Sequence, residues 1–316
     1  MILLCQVFVF KCVKIVALYV KVNTGPNNNV LPEKIKGYRI FAPFYRDMYL
    51  HSTAIMVKQK QLIVTSALLK RTVTCTLIMP DEETIARPLN LLLMNDGQEA
   101  GQLELTATLD NLYNSNKIAP VIVAAINAGD DRLQEYGTAG TPDYKKRGAK
   151  AALYTQFITT ELLPLIKADT GIEYFETTAI AGFSLGGLSA LDIAWNNPDL
   201  FDKVGAFSGS FWWRSKGLAK GYTDADRIMH RIIKNSAGKP ALKFWLQTGT
   251  KDETADRNKN GIIDSIDDTI DLIKELLNKG YQRPDDIQYV EIVGGMHNTD
   301  TWAKAMPMFL QWAFGN

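Results

Sequence analysis

From about residue 52 the chain alternates short apolar runs with longer segments of helical spacing. STAIMVKQKQLIVTS and KRTVTCTLIMP predict two strands, the second alternating apolar and polar residues as a half-buried face does. LNLLLMNDG is short, wholly apolar and closed by a turn, the pattern of a strand buried on both faces. A helix is predicted near Leu103 to Asn116, followed by VIVAAINAG (strand) and KRGAKAALYTQFITTELLPLIK (helix). In TTAIAGFSLGGLSALDIAW the run Ala179-Ile180-Ala181 reads as a strand, and helical spacing begins at Leu185. KVGAFSGS, LKFWLQTGT and IQYVEIVGG predict three more strands; ADRIMHRIIKN, DDTIDLIKELLNKG and DTWAKAMPMFLQWAF predict helices, the last with a kink at Pro307.

Strands alternating with helices predict an α/β fold of three layers, a mainly parallel central sheet with helices on both faces. In such sheets functional residues gather at the carboxyl ends of the strands. Those ends carry NDGQ, NAGDDR, Ser184, SGSFWWR, GTKDE and GGMHN, so polar residues collect where one site would form.

The beginning of the chain follows a different pattern. MILLCQVFVFKCVKIVALYV is apolar enough for a signal or an anchor, yet Lys11 and Lys14 lie inside the apolar run instead of before it. Two lysines near mid-span are also costly in a bilayer. A degenerate signal or anchor, a non-native leader and an accessory strand all stay open, and with them membrane association. NTGPNNN reads as a linker, so residues 1–50 are expected to be an extension and 51–316 a single domain. Without a clean signal peptide, a cytoplasmic location is expected over a periplasmic one.

Composition changes little. The 316 residues are 46% hydrophobic and 22% charged, ordinary for a globular protein, and the net charge of +1 offers no electrostatic case for a nucleic-acid partner. Cys5, Cys12 and Cys75 are odd in number and form no CxxC pair, which argues against a disulfide framework or a zinc site.

Candidate chemistry starts at Gly182-Phe183-Ser184-Leu185-Gly186. This is the G-x-S-x-G nucleophile elbow, in which small residues two before and two after the serine let strand and helix pass closely. The Leu185 amide is then free at a helix N-terminus, where it can receive developing negative charge. A serine needs a base, and the chain has only three histidines. His51 precedes the sheet, and His230 sits on a predicted helix as a surface or packing residue. His297 lies in a glycine-rich turn at a strand's carboxyl end. The acid belongs between serine and histidine in chain order. Asp252, directly after LKFWLQTGT, is favoured over Glu253, which stays open as the alternative. In MNDGQEAG, Gly97 permits a tight turn that leaves the Gln98 amide as a second oxyanion donor.

GFSLGG, NDGQ, GTKDE and GGMHNTDTW together resemble the esterase D / enterochelin-esterase-like family of the α/β-hydrolases, over roughly Val64 to the C-terminus. The resemblance implies the α/β-hydrolase fold and ester hydrolysis through an acyl-enzyme, with Ser184 as nucleophile and His297 as base. It also implies a small-molecule or carbohydrate ester as substrate and no cofactor for the chemistry. The family includes siderophore, feruloyl and acetyl-xylan esterases, S-formylglutathione hydrolases and mycolyltransferases. GDDRLQEYGT and SGSFWWRSKG resemble its enterochelin-esterase-like side. An acyltransferase using the same acyl-enzyme, and a non-catalytic binding module on the same fold, remain alternatives.

Two further features extend this reading. Trp212 and Trp213 lie at a strand's carboxyl end and Trp302 just past His297; two readings stay open, that they stack on a planar ring or sugar face, with Arg132 and Arg214 pairing with an acidic substrate group, and that they only cover the sheet edge. DRNKNGIIDSID has the spacing of an EF-hand loop. Asp256, Asn258, Asn260, the Ile262 carbonyl, Asp264 and Asp267 would hold a structural Ca2+ there, with Gly261 making the sharp turn. A plain acidic turn is the alternative.

Overall fold

The computed structural model describes residues 56–81 and 89–316. The expected extension over residues 1–50, with Cys5, Cys12 and His51, lies outside the described residues.

Eight strands form one sheet in the order β1-β2-β4-β3-β5-β6-β7-β8. β1 (Val57–Ser66) and β2 (Arg71–Pro80) form an antiparallel hairpin, and β2 also runs antiparallel to β4 (Val121–Ile126). The other pairings are all parallel, through β3 (Asn90–Asn95), β5 (Thr178–Phe183), β6 (Lys203–Phe207), β7 (Lys243–Lys251) and β8 (Ile287–Met296).

The apolar strands are apolar because both their faces are covered. Along β3, Leu91 and Leu93 face one core while Leu92 and Met94 face the other. The first core is covered by α2 (Ala151–Gln156), which continues through a π-helical segment, Phe157–Leu162, into α3 (Leu163–Thr170). It is completed by α4 (Leu185–Asn196), α5 (Ile228–Asn235) and α6 (Asp264–Asn278). On the other face, α1 (Leu105–Asn114) and α7 (Thr299–Phe314) close the second core, and α7 continues on both sides of Pro307. Gly205 of β6 shows how tightly α7 sits, since a Cβ there would come within 2.5 Å of the Phe309 ring.

His230 is a packing residue of α5, 5% exposed. Its Nε2 donates to the Asp268 carbonyl at 2.9 Å, because a carbonyl can only accept. Burial, chiefly, pushes its pKa down to about 3, so it stays neutral and takes no part at the strand ends.

Candidate active site

The carboxyl ends of β3, β5, β6, β7 and β8 bring the predicted residues to one edge of the sheet. At the end of β5 the chain must reverse into α4 within one residue, and Ser184 takes φ 54° and ψ −119° to do so. Backbone hydrogen bonds on both sides hold this strained residue. Its N–H donates to the Phe207 carbonyl at 2.8 Å, and its carbonyl accepts from the Ser210 and Gly187 amides at 3.0 and 3.1 Å. A Cβ on Gly182 would meet the Gly186 carbonyl oxygen at 2.4 Å, which is why the flanking positions are glycine. Leu185 and Gly186 open α4, where amides have no intrahelical acceptor and point outward.

The turn after β3 packs against this elbow. Asp96 is left-handed (φ 61°), and a Cβ on Gly97 would lie 2.2 Å from the Ala125 carbonyl carbon. The Gln98 side chain accepts from the Ala128 amide at 3.0 Å, which anchors the turn and leaves the Gln98 amide at its open start. Buried Asn95 joins turn and elbow, donating to the Gly186 carbonyl at 2.9 Å and accepting from the Tyr154 hydroxyl at 2.7 Å.

Asp252 and His297 face each other across the ends of β7 and β8, with Oδ1 4.0 Å from Nδ1. Close backbone contact between the two strands permits this approach, since a Cβ on Gly249 would meet the Gly295 carbonyl oxygen at 2.4 Å. Asp252 is nearly buried and accepts from Ser208 Oγ at 3.0 Å, the Gly249 amide at 3.0 Å and Ser265 Oγ at 3.4 Å. The Glu253 carboxyl forms no ion pair with the imidazole and is pushed above its usual range, mainly by burial.

Three of the expected substrate contacts are engaged within the protein. Trp213 is fully buried, wedged in a slot where Cβ atoms on Gly137 and Gly148 would come within 3.0 Å of its ring. Trp302 is 8% exposed, stacked on Phe183 with centroids 5.0 Å apart and edge-on to His297 at 5.3 Å, so it braces the site from behind. Arg132 forks onto Asp96 with Nε at 2.6 Å and Nη2 at 2.8 Å, so its bidentate edge is already occupied. Trp212 and Arg214 remain partly exposed. The Arg214 guanidinium lies 5.3 Å from the Tyr144 ring, 5.9 Å from Trp212 and 5.5 Å from Tyr222, and it forms no ion pair with a carboxylate among the described residues.

The loop after Asp252 folds on itself. Asp267 Oδ2 accepts from the side-chain amides of Asn258 and Asn260 at 2.9 and 2.7 Å, and Asp256 accepts from the Asn260 and Gly261 amides. Another expected ligand, Asp264, is drawn away: it accepts from the Arg257 amide at 2.9 Å and pairs with its guanidinium at 3.2 Å. Among the described residues no cluster of three or more His, Cys, Asp or Glu is placed to hold a metal, and no helix is long and apolar enough to cross a membrane.

Ser208 and Ser210 were not singled out by sequence reasoning. Ser210 Oγ lies 3.3 Å from Ser184 Oγ, and Ser208 reaches both Asp252 and Trp302. The signal was present in SGS, two hydroxyls around a glycine at a strand's carboxyl end.

The family model described as "Putative esterase" matches residues 66–313. The chain belongs to this esterase family. Among curated relatives, the iron(III) salmochelin esterase of Escherichia coli O6:H1 is 33% identical over 141 residues, 43% of this chain and 32% of that protein. The iron(III) enterobactin esterase of Escherichia coli K12 is 29% identical over 164 residues, 51% of this chain and 38% of that protein. The matches therefore span about a third of the length of these relatives. An enterobactin esterase structure from Shigella flexneri superposes with a TM-score of 0.60 at 20% identity, over 81% of this chain and 59% of that one. A ferulic acid esterase structure gives 0.60 at 18% identity, over 82% of this chain and 98% of that one. At such identities the structures show the shared fold, that of the α/β-hydrolases.

In this esterase-family chain, burial holds His297 below the ordinary histidine pKa; Asp252 opposes the shift and the positive charge of Arg132 adds to it. NMR titration of the imidazole is expected to give a midpoint below about 6.5. Arg132→Met removes a cation and uncovers Asp96, both of which favour the imidazolium, so the midpoint should rise. An unchanged or lower midpoint in that variant would show that Arg132 has no electrostatic hold on His297.

Proposed function

We propose that the protein hydrolyses carboxylic esters through an acyl-enzyme on Ser184. The observation that carries this reading is the pinned, left-handed Ser184 at the mouth of α4, on the same sheet edge as the His297–Asp252 pair. Ser184 Oγ attacks the ester carbonyl while His297 takes its proton. The tetrahedral oxyanion is received by the Leu185 and Gln98 amides. Collapse breaks the bond to the alcohol, which leaves with the proton from His297. Water then attacks the acyl group, giving a proton to His297, and release of the acid restores Ser184. Asp252 holds the imidazole tautomer and stabilises the imidazolium. An acyltransferase differs only in the acceptor that replaces water, and a binding module would need none of this geometry.

The Shigella flexneri enterobactin esterase structure, obtained in the presence of 2,3-di-hydroxy-N-benzoyl-glycine, supports an ester whose acyl or alcohol part carries a hydroxylated aromatic ring. Arg214, framed by Tyr144, Trp212 and Tyr222, supplies a cation and flat surfaces suited to such a ring. For the loop Asp256–Asp267 we propose a structural Ca2+ held by Asp256, Asn258, Asn260, the Ile262 carbonyl and Asp267. Supporting it are the EF-hand spacing and the gathering of both asparagines on Asp267.

Ser184→Ala and His297→Ala should each abolish most turnover of p-nitrophenyl butyrate, with the double variant little worse than either, since the two act as one unit. Multiplicative losses would break the assignment, and no turnover by the wild type would favour the binding module. On substrate choice, kcat/KM for a catecholate or feruloyl ester should exceed that for butyrate, and Arg214→Met should narrow the gap; equal values in both proteins would remove the subsite. For the loop, melting in calcium should occur above melting in chelator through binding linkage. The difference should vanish when Asp256 and Asp267 are both replaced by alanine. Identical melting in calcium and chelator leaves a plain acidic turn.

A further inference from the structure

Ser208 follows β6, is 2% exposed and holds φ at 46°. An L-residue in this region carries strain that glycine avoids, so a serine here calls for a use of its hydroxyl. That hydroxyl has two partners. It accepts from Trp302 Nε1 at 3.0 Å and donates to Asp252 Oδ1 at 3.0 Å. The direction is fixed by chemistry, since an indole N–H only donates and a carboxylate only accepts. The chain N–H→O–H→carboxylate therefore runs one way, each bond polarising the next.

Its end point is the oxygen that faces the imidazole, 4.0 Å from His297 Nδ1. The other oxygen of Asp252 is held by the Gly249 amide at 3.0 Å and by Ser265 Oγ at 3.4 Å, so Ser208 on one side and these two on the other set the rotation of the carboxylate. Its starting point, the Trp302 indole, lies edge-on to His297 and stacks on Phe183, the residue before the nucleophile. Acid and base are thus registered against one side chain.

We propose that Ser208 is a positioning residue for the Ser184–His297–Asp252 unit, relaying the placement of Trp302 to the carboxylate of Asp252; this rests on the hydrolytic reading above. Without the hydroxyl, Asp252 Oδ1 loses a donor and its charge is less delocalised into neutral partners. It then holds an imidazolium more firmly, so the base protonates at higher pH. The charged groups facing His297, Asp252 and Arg132, are unchanged by the substitution.

The test compares Ser208→Ala, Ser208→Gly, Trp302→Phe and Asp252→Ala by kcat, KM, melting temperature and the acid limb of kcat/KM. Ser208→Ala and Ser208→Gly should each lower kcat about 10- to 100-fold, the scale of a small misplacement of reacting groups, with KM little changed and the acid limb moved upward. Ser208→Gly should melt higher than Ser208→Ala because glycine accepts the backbone conformation, yet be no more active. Adding Trp302→Phe to Ser208→Gly should cause little further loss. If activity instead follows melting temperature, with the glycine variant active and the acid limb unmoved, Ser208 is only structural and the proposal falls. If Asp252→Ala retains wild-type kcat, the acid assignment itself fails, a separate result from a large loss in Asp252→Ala beside an unaffected Ser208→Gly.

Discussion

The strained backbone at Ser184 is the constraint around which the rest of the site is arranged. An L-residue at φ 54° and ψ −119° lies outside the favoured regions and persists only when its surroundings leave no alternative. Here its own N–H and carbonyl are tied to the Phe207 carbonyl at the end of β6 and to the Ser210 amide on the loop that follows. Relaxing the turn would break those bonds and drive α4 into its neighbours. Packing reinforces the constraint, since a Cβ on Gly186 would lie 2.5 Å from Asp96 Oδ2 and one on Gly187 3.3 Å from Ala206. β3, β5, β6 and α4 meet at distances that only glycine allows.

The loop after β6 then does more than fasten the elbow. Within Phe207–Ser210 it holds the Ser184 backbone, approaches the Ser184 hydroxyl and donates to Asp252. One short segment therefore sets the relative placement of groups brought in by different strands. Buried charges around it divide into two kinds. Asp96 and Glu135 are paired with the Arg132 and Arg71 guanidiniums, the second pair fixing the helical turn Arg132–Glu135 beside the elbow. Such pairs contribute geometry more than stability, because desolvation offsets much of their attraction. Asp252 differs in being surrounded by neutral donors. Its charge is solvated without a neighbouring fixed cation, which leaves it available to an imidazolium.

Much of this was legible in the residues. The alternation of strands and helices, the double burial of β3, the elbow around Ser184 and the position of His297 follow from local pattern and chain order. His230 was correctly set aside, because helical spacing put it away from strand ends. Trp213, Trp302 and Arg132 show where local reading stops. All three follow strands within a few residues, yet Trp213 fills a slot between two glycines, Trp302 turns its N–H to Ser208, and Arg132 meets Asp96. Each partner comes from a different loop.

The sequence by itself determined the period of each element and the tight turn at Ser184, because these depend on neighbours a few residues apart. Tertiary structure alone decided which carboxylate faces His297 and that Ser208 connects Trp302 with Asp252. Those are contacts between segments as far as 94 residues apart. Their partners are chosen by sheet order and by how closely glycine lets strands approach, and no periodicity along the chain records either.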